Sequence, residues 1–275
     1  MKLLQCGRFE LDLSTPRIMA IINLTTDSFS GDGRGADIAA ALDHAEQAIE
    51  AGAELLDIGA ESTRPGAEPA SEEQEGERIE AFLQVAAAWQ LPISVDTMKP
   101  AVMRRALAAG ADMINDINGF RSPGAIGAVA NSQAALCVMH MQGEPRTMQL
   151  RPHYQDVCAA VQAFFADRVA ALDAAGVGRE RIVLDPGFGF GKLVGHNFSL
   201  LREFGRLSVD ELPMLAGLSR KSMLGAVTGR EVRARLPASL AAALIAVQRG
   251  AAIVRVHDVA ATRDVLQVWQ ALEAC

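Results

Sequence analysis

Short apolar, β-rich runs alternate with longer helical stretches along nearly all of this 275-residue chain, and that alternation limits the fold more than any other feature. The runs fall at Ile18–Leu24, Leu55–Gly59, Ile93–Asp96, Met113–Ile117, Ala135–His140, Ile182–Asp185, Met214–Leu218 and Ala252–His257. Helical patterns separate them at Asp37–Ala51, Ser71–Trp89, Ala101–Ala109, Pro123–Ala130, Tyr154–Ala175, Asn197–Leu207 and Ala238–Arg249, with Ala260–Leu272 after the last. Such alternation builds an α/β fold with a parallel sheet and right-handed crossovers. A (β/α)8 TIM barrel takes roughly 250 residues, so eight units in this length predict one closed barrel domain over residues 1–275. A doubly wound open sheet is the alternative. Residues before Pro16 predict a short N-terminal β-hairpin around Phe9–Leu13, closing the barrel bottom. Gly52-Ala53, Gly110-Ala111 and Gly250-Ala251 sit at helix-to-strand junctions, where glycine can take the left-handed conformation that ends a helix.

A strand buried on both faces should read as an almost continuous apolar run. Here polar groups gather near the C-terminal ends instead: Asn23, Asp57, Asp96, Asn115, His140, Asp185, Ser219, and Arg255 with His257. Side-chain alternation puts Arg255 and His257 on one face, with Val254 and Val256 on the other. In a barrel, that end is the mouth where active sites are built. Any one of these residues is more often a capped strand end or a satisfied core polar group. Their shared placement argues for a site.

Composition removes several classes. The net charge is −7 and no basic run or aromatic-basic stripe occurs, which excludes nucleic acid as the expected partner. Cys6, Cys137, Cys158 and Cys275 form no Cys-x-x-Cys pair, so neither a disulfide framework nor a zinc site is expected. No apolar run approaches the roughly 20 residues that span a bilayer. A cytoplasmic location and no membrane partner are therefore expected.

Three loops carry chemistry. Glu61-Ser62-Thr63-Arg64-Pro65-Gly66 combines hydroxyls and a guanidinium on a tight turn, an oxyanion clamp or else a polar surface turn. Asp185-Pro186-Gly187-Phe188-Gly189-Phe190-Gly191-Lys192 offers glycines for close backbone approach to a ligand and flat phenylalanine faces; its spacing is wrong for a nucleotide-binding P-loop. Gly217-Leu218-Ser219-Arg220-Lys221-Ser222 leads into a helix whose N-terminus, with Ser222, could hold a carboxylate, and Lys221 adds a local cation. His140 reads as a satisfied core histidine. No histidine cluster suits a zinc hydrolase, and no Gly-x-Ser-x-Gly elbow suits a serine nucleophile.

The strings TTDSFSGDG, DIGAESTRPGA, SVDT, INDI, MHMQG, DPGFGFGK, GLSRKSMLG and RVHDV occur in this order from about Ile18 to Val259. Together they resemble the motif set of the dihydropteroate synthase family of pterin-binding barrels. The resemblance implies a homodimer that joins (7,8-dihydropterin-6-yl)methyl diphosphate to para-aminobenzoate, with Mg2+ as cofactor and sulfonamides as competitors. Matching positions imply Asp96, Asn115, Asp185 and Lys221 around the pterin. They imply Asn23, Thr63, Arg64, Arg255 and His257 at the diphosphate, with Asn23 on the metal. Phe29, Thr63, Pro65, Phe190, Lys221 and Ser222 match the para-aminobenzoate site, and Asp96, Asp185, Lys221 and Arg255 the catalytic group.

The aniline is a weak nucleophile. Early loss of diphosphate is therefore expected, helped by positive charge from Mg2+, Arg255 and His257 and by a ring-side carboxylate. The chain departs from the family pattern at Thr26, where proline is common, at Gly31-Asp32-Gly33, and at Ala20 and Ala60, where glycine is usual. The alternatives are a pterin-barrel methyltransferase, which needs no diphosphate grip, and a pterin-binding paralogue without turnover.

Overall fold

The computed structural model describes residues 3–24, 34–61 and 70–275. A hairpin of β1 (Leu3–Cys6) and β2 (Phe9–Asp12) comes first. Then follow β3 (Arg17–Asn23), α1 (Arg34–Glu50), β4 (Leu55–Gly59), α2 (Glu72–Ala86), β5 (Ile93–Asp96), α3 (Pro100–Ala108), β6 (Met113–Asp116), α4 (Ala125–Val129) and β7 (Ala135–Met139). The second half runs through α5 (Val157–Ala174), β8 (Ile182–Asp185), α6 (Val194–Arg202), β9 (Met214–Ala216), α7 (Ser222–Thr228), α8 (Leu236–Gln248), β10 (Ala251–Val256) and α9 (Val259–Glu273). Strands β3 to β10 close in sequence order, β10 pairing with β3, every pair parallel. The open-sheet alternative is thereby excluded. Among the described residues no helix is long and apolar enough to cross a membrane.

Alternation along each strand divides the core in two. Ile18, Ile22, Leu56, Ile58, Val95, Leu136, Val138, Leu184 and Val254 face outward into the layer shared with the helices. Met19, Leu55, Met113, Cys137, Val183, Leu215 and Ile253 face inward and pack on Leu4, Cys6 and Leu13. The N-terminal hairpin thus plugs the barrel floor, as its position before Pro16 predicts. Gly7, at φ +58°, lies so close to Asp112 that a Cβ would sit 2.6 Å from its Cα. The buried Asp112 carboxylate accepts from Arg8 N at 3.1 Å, Arg8 Nε at 3.0 Å and Ile93 N at 3.1 Å, which locks the plug to β5. Because the floor is apolar and filled, polar chemistry is confined to the upper half of the barrel.

The expected helix ends shift where a local bond intervenes. Helix α5 starts at Val157 rather than Tyr154 because the Asp156 side chain caps it, accepting from Cys158 N at 2.8 Å and Ala159 N at 3.1 Å. The expected Pro123–Ala130 helix shrinks to α4, since Gly124 is left-handed at φ +84°. The expected Asn197–Leu207 helix begins earlier, at Val194, and gives way to a 3-10 turn at Phe204–Arg206. Gly52, Gly110 and Gly250 all have φ between +94° and +98°, the left-handed helix ends read from their Gly-Ala pairs.

Candidate active site

Inward alternation at the C-terminal half of the strands brings Asp57, Ser94, Asp96, Asn115, Asp185 and Arg255 into one ring. Register sets neighbours: Asp57 lies beside Ser94, Asp96 beside Asn115, and Gly59 beside Asp96. The ring is held by its own charges. Arg255 Nε donates to Asp57 Oδ2 at 2.5 Å, and Arg255 Nη2 donates to Asp96 Oδ2 at 3.1 Å. Asn115 Nδ2 donates to the same Asp57 Oδ2 at 3.1 Å. With its amide nitrogen so engaged, Asn115 presents Oδ1, which is buried and has no described partner; Asp57 Oδ1 and Ser94 Oγ share that state. Unsatisfied buried acceptors cost roughly 1–3 kcal/mol each. A ring carrying several of them is suited to a polar ligand that brings donors.

Asp57 was named in the sequence only as a polar strand end and given no role. In the structure it is wholly buried and joins Arg255 to Asn115. The spacing Asp57-x-Gly59, inward by alternation and two strands round the barrel from Arg255, was the available signal.

Electrostatics follow from burial. Desolvation, then the Asp57 charge, pushes Asp96 up to about 7 despite Arg255. Asp185, 5% exposed, is raised by burial too, countered by the Gly187 N–H that donates to its Oδ1 at 2.7 Å and by Lys221 and Arg255. Burial pulls Lys221 down to about 8, with Arg255 adding to the effect. Its Nζ stands 4.4 Å from the centre of the half-buried Phe190 ring, a cation–π placement. Asp96, Asn115, Asp185 and Lys221 therefore share one mouth.

The three loops differ in detail from their sequence reading. In the β8–α6 loop Gly187, Gly189 and Gly191 are all left-handed, at φ +66°, +82° and +62°. Two of them make a close approach within the protein itself. A Cβ at Gly187 would collide with the His140 carbonyl oxygen, and one at Gly191 with that of Gln142, so two of the glycines let this loop nest against the one after β7. In the β9–α7 loop Arg220 is left-handed at φ 57° without being glycine, a strained state held by Asp258 at 2.6 Å and by the Ser239 hydroxyl at 2.9 Å. Lys221 occupies the N-cap of α7 with no side-chain cap, which moves the exposed Ser222 to the first helical residue.

His257 Nδ1 lies 3.0 Å from Ser219 Oγ, and burial with nearby Arg220 and Arg255 lowers it to about 4. It is neutral at pH 7. The expected cationic imidazole is replaced by a hydrogen-bonding one, and the Arg255 charge is already faced by two carboxylates. Asn23 stands exposed at the rim end of β3. Phe29, Thr63, Arg64 and Pro65 lie outside the described residues, as does Thr26. Both ends of the β4–α2 connection are tied down, however. Lys99 Nζ, which the sequence did not single out, binds Glu61 Oε2 at 2.8 Å, Ala70 O at 2.7 Å and Glu75 Oε2 at 2.7 Å.

His140 belongs to the packing, as read. Its ring meets Phe164 edge-on at 5.0 Å, outside the ring of acceptors. A hollow of about 720 Å3 lies at the opposite end of the barrel beside Arg17, Glu54, Arg263 and Trp269. There Arg17 is paired with Glu54 and Arg263 with the Gly52 carbonyl. Convergence of donors and acceptors, rather than volume, marks the mouth as the site.

A closed (β/α)8 barrel with buried carboxylates, an amide acceptor, a lysine and an aromatic face at its mouth defines a binder of flat, donor-rich heterocycles. The chain belongs to the pterin binding enzyme family, whose model matches residues 19–257. It is 49% identical over 273 residues to a dihydropteroate synthase of Neisseria meningitidis serogroup C, covering 98% of this chain and 96% of that one. The structure of a Burkholderia cenocepacia dihydropteroate synthase complexed with 7,8-dihydropteroate superposes with a TM-score of 0.91 at 52% identity, covering 99% of this chain and 96% of that one. That of a Xanthomonas albilineans dihydropteroate synthase with 4-aminobenzoic acid gives 0.94 at 48%, covering 100% and 99%.

Proposed function

We infer that this chain works as a dihydropteroate synthase: it transfers the pterin-methyl group of (7,8-dihydropterin-6-yl)methyl diphosphate to the amine of para-aminobenzoate, releasing diphosphate. The observation that carries this is the convergence of Asp96, Asn115 and Asp185 with Lys221 on one buried spot at the barrel mouth. A pterin edge offers an amino group and a ring N–H beside a carbonyl. Asp185 and the free Asn115 Oδ1 supply acceptors, and Lys221 supplies a donor for the carbonyl.

In the reaction the bond between the exocyclic methylene and the diphosphate oxygen breaks, and the electron pair leaves with diphosphate. A resonance-stabilised pterin-methyl cation remains, and the aniline nitrogen adds to the methylene and then loses a proton. Ionised Asp96, partly exposed toward the mouth, stabilises the positive charge that develops on the ring. Arg255 holds Asp96 and Asp57 in place through Nη2 and Nε, which leaves Nη1 available to the leaving group. His257 contributes a neutral N–H beside it. Phe190 and the stem of Lys221 form the floor on which the aniline ring lies. Thr63, Arg64, Pro65, Phe29 and Ser222 complete the diphosphate and aniline sides in this reading.

Mg2+ is proposed on the donor chemistry. It keeps several waters and is bound by one or two protein oxygens plus substrate phosphates. The described residues hold no group of three or more His, Cys, Asp or Glu side chains fit for an all-protein cage, whereas the exposed Asn23 amide oxygen suits the substrate-assisted mode. Bound there with diphosphate, the ion would offset charge on the leaving group. Sulfonamides, as para-aminobenzoate mimics, compete for the aniline side, and the active form is a homodimer testable by sedimentation velocity.

Mixing both substrates with the enzyme is expected to release diphosphate stoichiometrically with dihydropteroate. Diphosphate release that yields no dihydropteroate when para-aminobenzoate is present, or no release at all, rejects the reading. The same assay gives a pH test. A carboxyl raised to about 7 picks up its proton as pH falls through that value, so kcat/KM should drop about tenfold per unit below pH 7. Asp96→Asn should be much slower throughout and lose this acid limb. An unchanged limb in the variant assigns it to another group.

A further inference from the structure

Lys192 closes the β8–α6 loop and is only 3% exposed, yet none of the roles above uses it. Its Nζ lies 2.9 Å from Gly187 O, 3.0 Å from Phe190 O, 3.1 Å from His140 O and 2.9 Å from His140 Nδ1. Among the described residues no carboxylate reaches it. Desolvating an ammonium costs several kcal/mol, so a chain that merely needed bulk here would carry methionine or leucine. Burial pulls Lys192 down to about 7 against the pull of Asp185, so the ammonium is the form held below that pH. What it adds is a point of convergence: three protons shared among three carbonyls and an imidazole nitrogen drawn from two different loops.

Each of those acceptors is one bond from the ring at the mouth. The Gly187 N–H donates to Asp185 Oδ1 at 2.7 Å. His140 N donates to the Asp185 carbonyl at 2.9 Å. Phe190 carries the ring beneath Lys221. The two loops also crowd one another, since a Cβ at Gly187 would strike the His140 oxygen. Carbonyl dipoles pressed together this way repel unless a cation sits among them.

We propose that Lys192 is a positioning residue for the reaction: its ammonium gathers the carbonyls of His140, Gly187 and Phe190, and so fixes the Asp185 carboxylate and the Phe190 ring where they receive the pterin and the aniline. The proposal rests on the pterin reading of the site and adds to it a residue that touches neither substrate.

The test is fluorescence titration with 6-hydroxymethylpterin at a temperature where each variant is folded by circular dichroism. Lys192→Met is expected to raise Kd about 10- to 100-fold, the equivalent of one or two charge-assisted hydrogen bonds at the ring. Lys192→Gln, which can still donate to two carbonyls, should fall between it and the wild type. Val169→Ala, a cavity in α5 away from this loop, should lower the melting temperature with Kd unchanged. That contrast separates positioning from loss of general stability.

Should Lys192→Met not fold, the glutamine variant carries the comparison, and the wild-type protein supplies a further measurement. An ammonium locked to fixed carbonyls exchanges its protons slowly, so a 15N-edited spectrum should show the Lys192 signal and a shift on saturation with the pterin. A folded lysine variant with wild-type Kd overturns the proposal, and so does a Lys192 signal that ignores bound pterin. Wild-type protein that binds no pterin would sink the functional reading as well.

Discussion

Asp185→Asn is expected to lower kcat/KM for the pterin diphosphate by about 100- to 10,000-fold while leaving the melting temperature unchanged or higher. Asparagine keeps the shape and can still accept the Gly187 N–H, now made at 2.7 Å. It loses the negative charge and turns one acceptor into a donor that faces the donors of the pterin edge. Two charge-assisted hydrogen bonds at about 1.5–3 kcal/mol each set the size of the effect, at 1.4 kcal/mol per factor of ten.

The stability half of this prediction follows from sign. Burial raises the Asp185 pKa above its unfolded value, so the folded state binds the proton more tightly. Stability linked to this group is then present below the unfolded pKa and lost as pH rises through the folded one. Above the folded pKa the ionised carboxylate opposes folding, and replacing it removes that penalty. Sites built for a ligand carry such costs. Steady-state kinetics and a thermal melt on the same sample check both halves, and wild-type kinetics in the variant would remove Asp185 from the site.

How much of this was legible in the sequence depended on whether the signal was periodic. The barrel was, because eight apolar runs with helices between them admit few other folds, and each inward residue from Asp57 to Arg255 follows from alternation once a run is placed. The convergence of Asp96, Asn115 and Asp185 was equally legible, since all three sit near C-terminal strand ends, and Lys221 follows in the loop after β9.

Less visible was which group each polar residue would bind. Arg255 looked free to grip an anion, yet two carboxylates two and three strands round the barrel from it take its Nε and Nη2. His257 looked like a cation, but burial beside two arginines keeps it neutral. The glycines of the β8–α6 loop promised approach to a ligand, and two of them instead serve contact with the neighbouring loop. Such facts depend on neighbours remote in sequence, as with Lys99 joining Glu61 to Ala70, and no local pattern encodes them.

The Arg255–Asp57 pair makes the second large prediction, in which stability and activity part company. Arg255→Met would leave the Asp57 carboxylate, wholly buried, with Asn115 Nδ2 as its remaining described donor and Asp96 as an unshielded neighbour. Breaking a buried ion pair from one side costs about 3–5 kcal/mol. At roughly 2–4 °C per kcal/mol for a chain of this size, the melting temperature should fall by about 6–20 °C.

Asp57→Asn in the same chain should restore most of that loss, because the charge left behind is what carries the cost. A double-mutant cycle should therefore give a coupling of about 2–3 kcal/mol. Activity should not return, since the guanidinium proposed to stand beside the leaving diphosphate is still missing. The deficit of Arg255→Met should also shrink as pH falls. Arg255 holds the Asp96 pKa down, so its loss moves that carboxyl further above its unfolded value, and the resulting penalty disappears on protonation. Urea unfolding of the four proteins of the cycle at pH 5.5 and pH 8 separates these effects. Strictly additive stabilities, or a deficit that ignores pH, would mean that the ring at the mouth is held together by packing and not by this guanidinium.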